Sequence, residues 1–328
     1  MKAMIVNSET KALEWKEVAD PLCNDDSVIV DIHCCAVNRA DLLQRDGKYP
    51  SPKGWPSWMG LELSGTILEM GAKARENTSF KVGDKVCALV GGGAYAERIA
   101  IPYQLVMSIP KGLSYEEASA IPEAYTTSYL NLFYEGHLKK GDVCYIAAGA
   151  SGLASAAIPM AKAVGAKVIT SVLNEEIAAK IAHLGADYVI IQSKESIPSA
   201  FEKLEKEGTP VKIVMDCLAG EDLGKAMPFM AEGGYWVVIS TLAGIQTNVM
   251  LRPLLTKGLH LVGSMLRKRS NDEKQELLKN LQRDMWSHFE SGEIKVNVFK
   301  TLPIQEAEEA YQLLLQNKNV GKVVLKVK

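Results

Sequence analysis

The sequence predicts an α/β protein in two parts, a barrel-type β segment and a doubly wound parallel sheet. Three observations carry this. The first third consists of short β-rich stretches broken by glycine, from Ser27-Val28-Ile29-Val30-Asp31-Ile32-His33-Cys34 through Gly60, Gly65, Gly71, Gly83 and Gly91-Gly92-Gly93, the texture of an antiparallel barrel. From Ser114 onward strands and helices alternate, which calls for a parallel sheet covered on both faces. At 328 residues the chain is too long for one ordinary core and comfortable for two.

The elements follow in order. Lys81-Val82-Gly83-Asp84-Lys85-Val86-Cys87-Ala88 reads as a turn entering a strand. Ser114-Tyr115-Glu116-Glu117 fits a capping box, with a hydroxyl at the helix start and a carboxylate three residues on. Apolar, β-branched runs predict strands over 142–147, 167–172, 188–191, 211–216 and 235–239, with helices over 153–164 and 175–184. The apolar segment 259–263 suits a sheet edge that a second copy of the chain would cover, so a homodimer is expected. Near Arg267 the chain turns charged and helical, and it ends in a strand over 322–327.

Composition narrows the function. Lys plus Arg total 37 against 39 Asp plus Glu, so the net charge of -2 leaves no footprint for nucleic acid or an anionic membrane. No apolar run is long enough to span a bilayer, and the start, Met1 to Asn7, reads as a strand rather than a signal peptide. A cytoplasmic location is expected. The six cysteines form no Cys-x-x-Cys pair and are expected to be reduced, structural thiols.

The segment that points to chemistry is Ala147-Ala148-Gly149-Ala150-Ser151-Gly152-Leu153-Ala154, between the first parallel strand and its helix. A dinucleotide pyrophosphate binds at such a turn because free backbone N–H groups and a helix N-terminus converge there. Against G-x-G-x-x-G/A, Gly149 keeps the first glycine, Ser151 replaces the second, and Ala154 is the permitted third. Taken alone, the same segment could be a tight turn without a ligand.

The turn, followed by Ala156-Ala157-Ile158, resembles the cofactor loop of the zinc-free quinone oxidoreductase (zeta-crystallin-like) branch of the medium-chain dehydrogenase/reductase superfamily. Further segments resemble it in unbroken order: Asn38-Arg39-Ala40-Asp41, Gly47-Lys48-Tyr49-Pro50, Gly60-Leu61-Glu62-Leu63-Ser64-Gly65, Val82-Gly83-Asp84-Lys85-Val86, Ile121-Pro122-Glu123-Ala124 and the tail 317–325. The chain is most similar to the tumour-suppressor-inducible quinone oxidoreductases. The resemblance implies a discontinuous GroES-like domain, 1–118 and 267–328, around a Rossmann domain, 119–266. It implies NADP(H), with NAD(H) as the alternative, and a quinone or an enone as the small-molecule substrate. Tyr49 and Asn38 are the implied catalytic hydrogen-bond donors. Thr127, Gly149, Ala150, Ser151, Gly152, Leu153, Ser171, Asn174, Gln192, Ser240, Leu242, Met265, Leu266 and Asn317 are the implied cofactor contacts.

The residues themselves leave alternatives. Tyr49 could instead pack beside Pro50 and Pro52, and Arg39 with Asp41 could form a structural ion pair. The run Gly91-Gly92-Gly93 could be a plain strand-joining turn or a substrate-side loop, and Trp55 and Trp58 an acceptor wall or loop anchors. Zinc-binding relatives carry a histidine where Leu61 stands, and the structural zinc lobe's four cysteines are missing, so no metal is expected. Two departures from the branch stand out. Pro159 lies inside the helix after the turn, where it removes a backbone hydrogen bond. Around the expected 2′-phosphate site stand Asn174, Ile177 and Gln192 with Glu175 and Glu176 between, so the usual lysine and tyrosine are absent and only Lys194 is near in sequence. A double-bond reductase and a non-catalytic crystallin-like protein are the competing functions.

Overall fold

The computed structural model describes residues 1–317 and 319–328; Lys318, within the tail motif, lies outside the described residues. The strands, in chain order, are β1 (Lys2–Val6), β2 (Leu13–Glu17), β3 (Ser27–Ala36), β4 (Glu62–Met70), β5 (Lys85–Leu89), β6 (Arg98–Pro102), β7 (Val106–Ser108), β8 (Val143–Ile146), β9 (Lys167–Val172), β10 (Tyr188–Ile191), β11 (Ile213–Asp216), β12 (Tyr235–Val238), β13 (His260–Gly263), β14 (Val298–Pro303) and β15 (Lys322–Lys326). Two compact units result, Met1–Thr126 with Arg269–Lys328, and Thr127–Lys268. The sequence places the breaks at 118/119 and 266/267. The first lies later because the helix Pro122–Tyr129 begins tied to the first unit, where the Glu123 backbone N–H donates to the Glu62 carboxylate at 2.8 Å.

The first unit is largely antiparallel. Its main sheet has the order β14-β15-β3-β4-β5-β7, with β6 also paired to β3, and β1 and β2 form a separate hairpin. The C-terminal strand β15 lies antiparallel to β3, with Val324 opposite Ala36, so the end of the chain joins a sheet begun in its first third. Ser114 forms the expected capping box with Glu117, and Ser270 forms another with Glu273 at the head of the helix Asn271–Glu290.

One buried polar cluster locks this unit. Glu62 is fully buried and Lys322 is 5% exposed, yet both sit at strand starts among apolar neighbours. The Lys322 ammonium reaches Glu62 Oε1 at 2.7 Å, Asn38 Oδ1 at 2.6 Å and the Val37 carbonyl at 3.1 Å, so each of its three protons has an acceptor. Asn38 closes the ring by donating Nδ2–H to Glu62 Oε1 at 3.0 Å. Satisfaction of every partner is what lets two charges leave water.

The second unit is an all-parallel sheet of order β10-β9-β8-β11-β12-β13. Strand order reverses beside β8, which has β9 on one side and β11 on the other. A doubly wound sheet opens a crevice at such a point. The core beneath it contains Tyr145, Phe201 and Trp236, whose rings meet edge-to-face at 5.3 Å and tilted at 5.9 Å. The helix Ala154–Ala163 runs unbroken through Pro159. The six cysteines are free thiols and all but Cys23 are buried; burial pushes Cys34 up to about 12. No helix among the described residues is long and apolar enough to cross a membrane.

Replacing Lys322 by Met leaves Glu62 buried without its cation. Urea unfolding is expected to show a loss of about 3–5 kcal/mol, the usual cost of breaking a buried pair from one side. A loss below about 1 kcal/mol, the scale of an exposed pair, contradicts the cluster's role.

Candidate active site

The turn after β8 is built to expose backbone. Ala147 N–H donates to Met215 O at 3.1 Å and Gly149 N–H to Ser171 O at 2.8 Å, so the turn is pinned to both neighbouring strands. Ala148 takes a left-handed φ of 54°, which turns the chain sharply out of the strand. Gly149 is required by space: a Cβ there would stand 2.5 Å from Thr170 Oγ1. Ser151, in place of the second glycine, is used locally, its Oγ accepting the Ala154 N–H at 3.0 Å. The amides of Ala150, Gly152 and Leu153 then donate to nothing among the described residues, and all three residues are half-buried. Three unengaged N–H groups ahead of a ten-residue helix make an anion cradle that fits a dinucleotide pyrophosphate.

The far side of the crevice is ordered by Asp216, which sequence reasoning missed. It is 3% exposed at the end of β11; its Oδ1 accepts the N–H of Leu218 at 2.8 Å and of Ala219 at 3.0 Å, and its Oδ2 accepts the Trp236 indole N–H at 2.8 Å. Ala243 N–H returns to Leu218 O at 2.8 Å, so the segment with Ser240 and Leu242 lies along this loop; Ser240 is half-buried and Leu242 exposed. Thr127, half-buried, precedes a second feature the sequence does not announce: the helix Pro122–Tyr129 passes into a π-helix over Leu130–Glu135. There the buried Asn131 donates Nδ2–H to the Thr127 carbonyl at 2.6 Å. Such wider turns break the regular ladder and recur at functional sites.

Several expected contacts are corrected by their hydrogen bonds. Ser171 is 1% exposed and its hydroxyl pairs with the Tyr145 hydroxyl at 2.7 Å, so it does not face a ribose. Leu266 is 6% exposed, whereas Met265 beside it is open. Asn317 Oδ1 is taken by the Arg39 guanidinium, which also donates to Leu314 O at 3.0 Å. Arg39 therefore makes no pair with Asp41. Asn174 uses Oδ1 to cap the helix Glu175–Ile181 at the Ile177 N–H, 3.0 Å, and keeps its own N–H₂; Gln192 is half-buried.

In the first unit, Asn38 has no proton left for a substrate. Its Nδ2 hydrogens go to Glu62 and to the Ala36 carbonyl at 3.4 Å, so it positions rather than catalyses. Tyr49 is half-buried in the loop after the helix Arg39–Arg45, its N–H on Leu43 O at 3.2 Å. Gln44 holds that loop, donating to Ser51 Oγ at 2.8 Å and Ser57 O at 3.0 Å. The Gly91-Gly92-Gly93 run is needed for close approach: a Cβ at Gly91 would stand 2.7 Å from the Trp55 indole, and one at Gly92 2.4 Å from Ser51 Oγ. Trp58 is a loop anchor, its indole N–H on Gly93 O at 3.0 Å.

Asp41 ties this platform together. Fully buried, it accepts from Asn38 N–H at 2.8 Å, Gly60 N–H at 3.0 Å and the Tyr95 hydroxyl at 3.1 Å. Burial pushes its carboxyl up to about 6, against the pull of those hydrogen bonds. Leu61 offers no lone pair to a metal, and no cluster of three His, Cys, Asp or Glu side chains among the described residues could hold one.

The chain matches the zinc-binding dehydrogenase family over residues 152–283 and the alcohol dehydrogenase GroES-like domain over residues 24–111. It is 30% identical over 354 residues to the acryloyl-coenzyme A reductase of Sulfurisphaera tokodaii, covering 99% of this chain and 100% of that one. The chain belongs to the medium-chain dehydrogenase/reductase superfamily. It is an oxidoreductase whose relatives include a quinone oxidoreductase-like protein 2 homolog of Nematostella vectensis, 28% identical over 97% of this chain and 89% of the relative. The quinone oxidoreductase of Thermus thermophilus, solved alone and with NADPH, superposes with a TM-score of 0.81 at 25% identity over the full length of both chains.

Asp41 makes a pH prediction. Its folded carboxyl titrates above its ordinary value of 3.8, so between about pH 4 and about pH 6 the folded state keeps a proton the unfolded chain has lost, and stability falls as pH rises through that window. Wild type should therefore lose a few kcal/mol of its unfolding free energy relative to Asp41→Asn across that range. A difference that does not change with pH contradicts it.

Proposed function

We propose that this oxidoreductase transfers hydride from a reduced nicotinamide dinucleotide, NADPH or NADH, to a quinone without a metal. The observation that carries the reading is the cradle of unengaged amides at Ala150, Gly152 and Leu153 at the switch point of the parallel sheet. The Thermus relative's complex with NADPH supports the cofactor class. Thr127, Gln192, Ser240, Leu242 and Met265 are proposed as flanking contacts.

A bound reduced nicotinamide supplies the hydride. The chain's residues do the rest: the turn amides and the helix N-terminus hold the pyrophosphate, and the Tyr49 hydroxyl donates a hydrogen bond to the acceptor oxygen as negative charge develops on it. Tyr49 keeps its proton; the reduced quinone takes its own from water. Leu61 leaves no ligand for a zinc ion, so orienting the acceptor falls to Tyr49 and the loop stapled by Gln44. A second reading, reduction of a carbon–carbon double bond conjugated to a thioester, is favoured by the full-length similarity to an acryloyl-coenzyme A reductase. The chemistry of the acceptor is the same in kind: hydride arrives at one end of a conjugated system and charge gathers on the carbonyl oxygen.

NAD(P)H oxidation with a panel of quinones, enones and enoyl thioesters, in protein dialysed against chelator, tests the reading. Quinone turnover at full rate is expected. Oxidation with enoyl thioesters alone transfers the protein to the second reading, and turnover restored only by zinc overturns the metal-free mechanism.

Tyr49→Phe is expected to lower turnover several-fold while cofactor affinity holds, well under the roughly 3 kcal/mol that a preorganised donor can reach, because quinones are intrinsically reactive. Unchanged turnover returns Tyr49 to a packing role.

We also propose a homodimer through β13, an edge strand that, among the described residues, pairs with β12 on one side. Leu261 on that strand is 48% exposed, and Leu251 and Leu255 in the preceding helix are 72% and 81% exposed, apolar surface that a second copy would bury. Light scattering at micromolar concentration should give twice the chain mass of 35.8 kDa; the monomer mass contradicts it.

A further inference from the structure

Where β9 and β10 end, a second arrangement of charge bears on the cofactor. In a doubly wound sheet the adenosine end of a dinucleotide lies past the carboxyl end of the second strand, here β9, and an acidic residue there binds the ribose diol. In this chain that place is held by Leu173, which is 59% exposed. The turn after β10 is fastened beside it: Gln192 N–H donates to Val172 O at 2.9 Å and Ser193 N–H to Leu173 O at 3.1 Å. This brings the next residue, Lys194, to the first turn of the helix Glu175–Ile181, where its ammonium forms an ion pair with Glu175. Both side chains are open to solvent, 60% and 68% exposed. Glu176 is engaged one helical turn further on by Lys180 at 2.6 Å. Ile177 offers no polar atom, and Asn174 has its carbonyl engaged as the cap.

We propose that Lys194 is the cofactor-specificity residue of this enzyme, and that Glu175 competes with the 2′-phosphate of NADPH for its ammonium. The proposal rests on the dinucleotide reading above. In the free protein Lys194 and Glu175 cancel, so neither a lone cation nor a lone carboxylate awaits the ribose. NADH leaves that pair intact and meets no carboxylate on its diol. NADPH brings a group with nearly two negative charges and three acceptor oxygens, which draws Lys194 away from a single carboxylate. One exposed ion pair is exchanged for a somewhat stronger one, and exposed pairs differ by little in water. The outcome is a modest preference for NADPH that shrinks as salt rises, in place of the strong discrimination that a dedicated, unpaired cation produces.

Dissociation constants for NADPH and NADH, measured by cofactor fluorescence on the full chain, test this in wild type, Lys194→Met and Glu175→Gln. Both substitutions are at exposed positions. Lys194→Met is expected to weaken NADPH about threefold and leave NADH within about 1.5-fold, the scale of a small difference between exposed pairs. Glu175→Gln is expected to tighten NADPH several-fold and leave NADH within about twofold, because the competitor is gone. Lys194→Met that leaves NADPH unchanged, or that weakens both cofactors alike, overturns the assignment. Glu175→Gln without effect on NADPH overturns the competition. Wild type that binds neither cofactor defeats the dinucleotide reading itself, and the proposal with it; the ratio between cofactors in a wild type that binds both separates the two failures.

Discussion

The first unit depends on one buried carboxylate. Glu62 accepts from Lys322 on the C-terminal strand, from Asn38 at the end of β3, and from the first turn of the helix Pro122–Tyr129. These contacts join the C-terminal strand, the segment just after β3 and the start of the helix Pro122–Tyr129. The pairing is directional. Three acceptors around one ammonium and three donors around one carboxylate admit a single arrangement of strands, whereas apolar contacts tolerate sliding. The same geometry commits both amide protons of Asn38 to Glu62 and the Ala36 carbonyl, so Asn38 serves the cluster.

The second unit solves the opposite problem. Buried backbone groups normally find partners, yet a pyrophosphate needs amides without them. Gly149, the left-handed Ala148 and the capping Ser151 satisfy the surrounding donors while leaving Ala150, Gly152 and Leu153 unengaged. Substituting serine for the second glycine therefore keeps the cradle, because the hydroxyl turns inward to the helix. Pro159 lies in the helix interior, where it removes one backbone hydrogen bond, but beyond the first-turn amides, so the turn itself is unchanged by it.

Much of this was legible in the sequence. The strands 167–172 and 188–191 are placed to the residue, because β-branched runs bounded by glycine and helix caps have little freedom. The capping box at Ser114 and the edge strand near 259–263 follow from local pattern in the same way. Hydrogen-bond partners far apart in sequence do not. Nothing local says that Lys322 meets Glu62, although a charged residue at the head of each apolar strand is the signal that could have found them. Ser171 looked available because its strand position is right, but its hydroxyl faces the core, toward Tyr145. Arg39 and Asp41 are close in sequence and go separate ways, one to the C-terminal helix end and one to the Gly60 turn. The π-helix over Leu130–Glu135 has no sequence mark.

The central claim is that a reduced nicotinamide dinucleotide rests its pyrophosphate on the turn after β8. Amide hydrogen exchange with and without saturating NADPH tests it most directly, because the amides of Ala150, Gly152 and Leu153 have no acceptor among the described residues. The account predicts fast exchange at these three positions in the free protein and strong protection on binding, centred on residues 148–154. NADPH that binds while these amides exchange unchanged would contradict it.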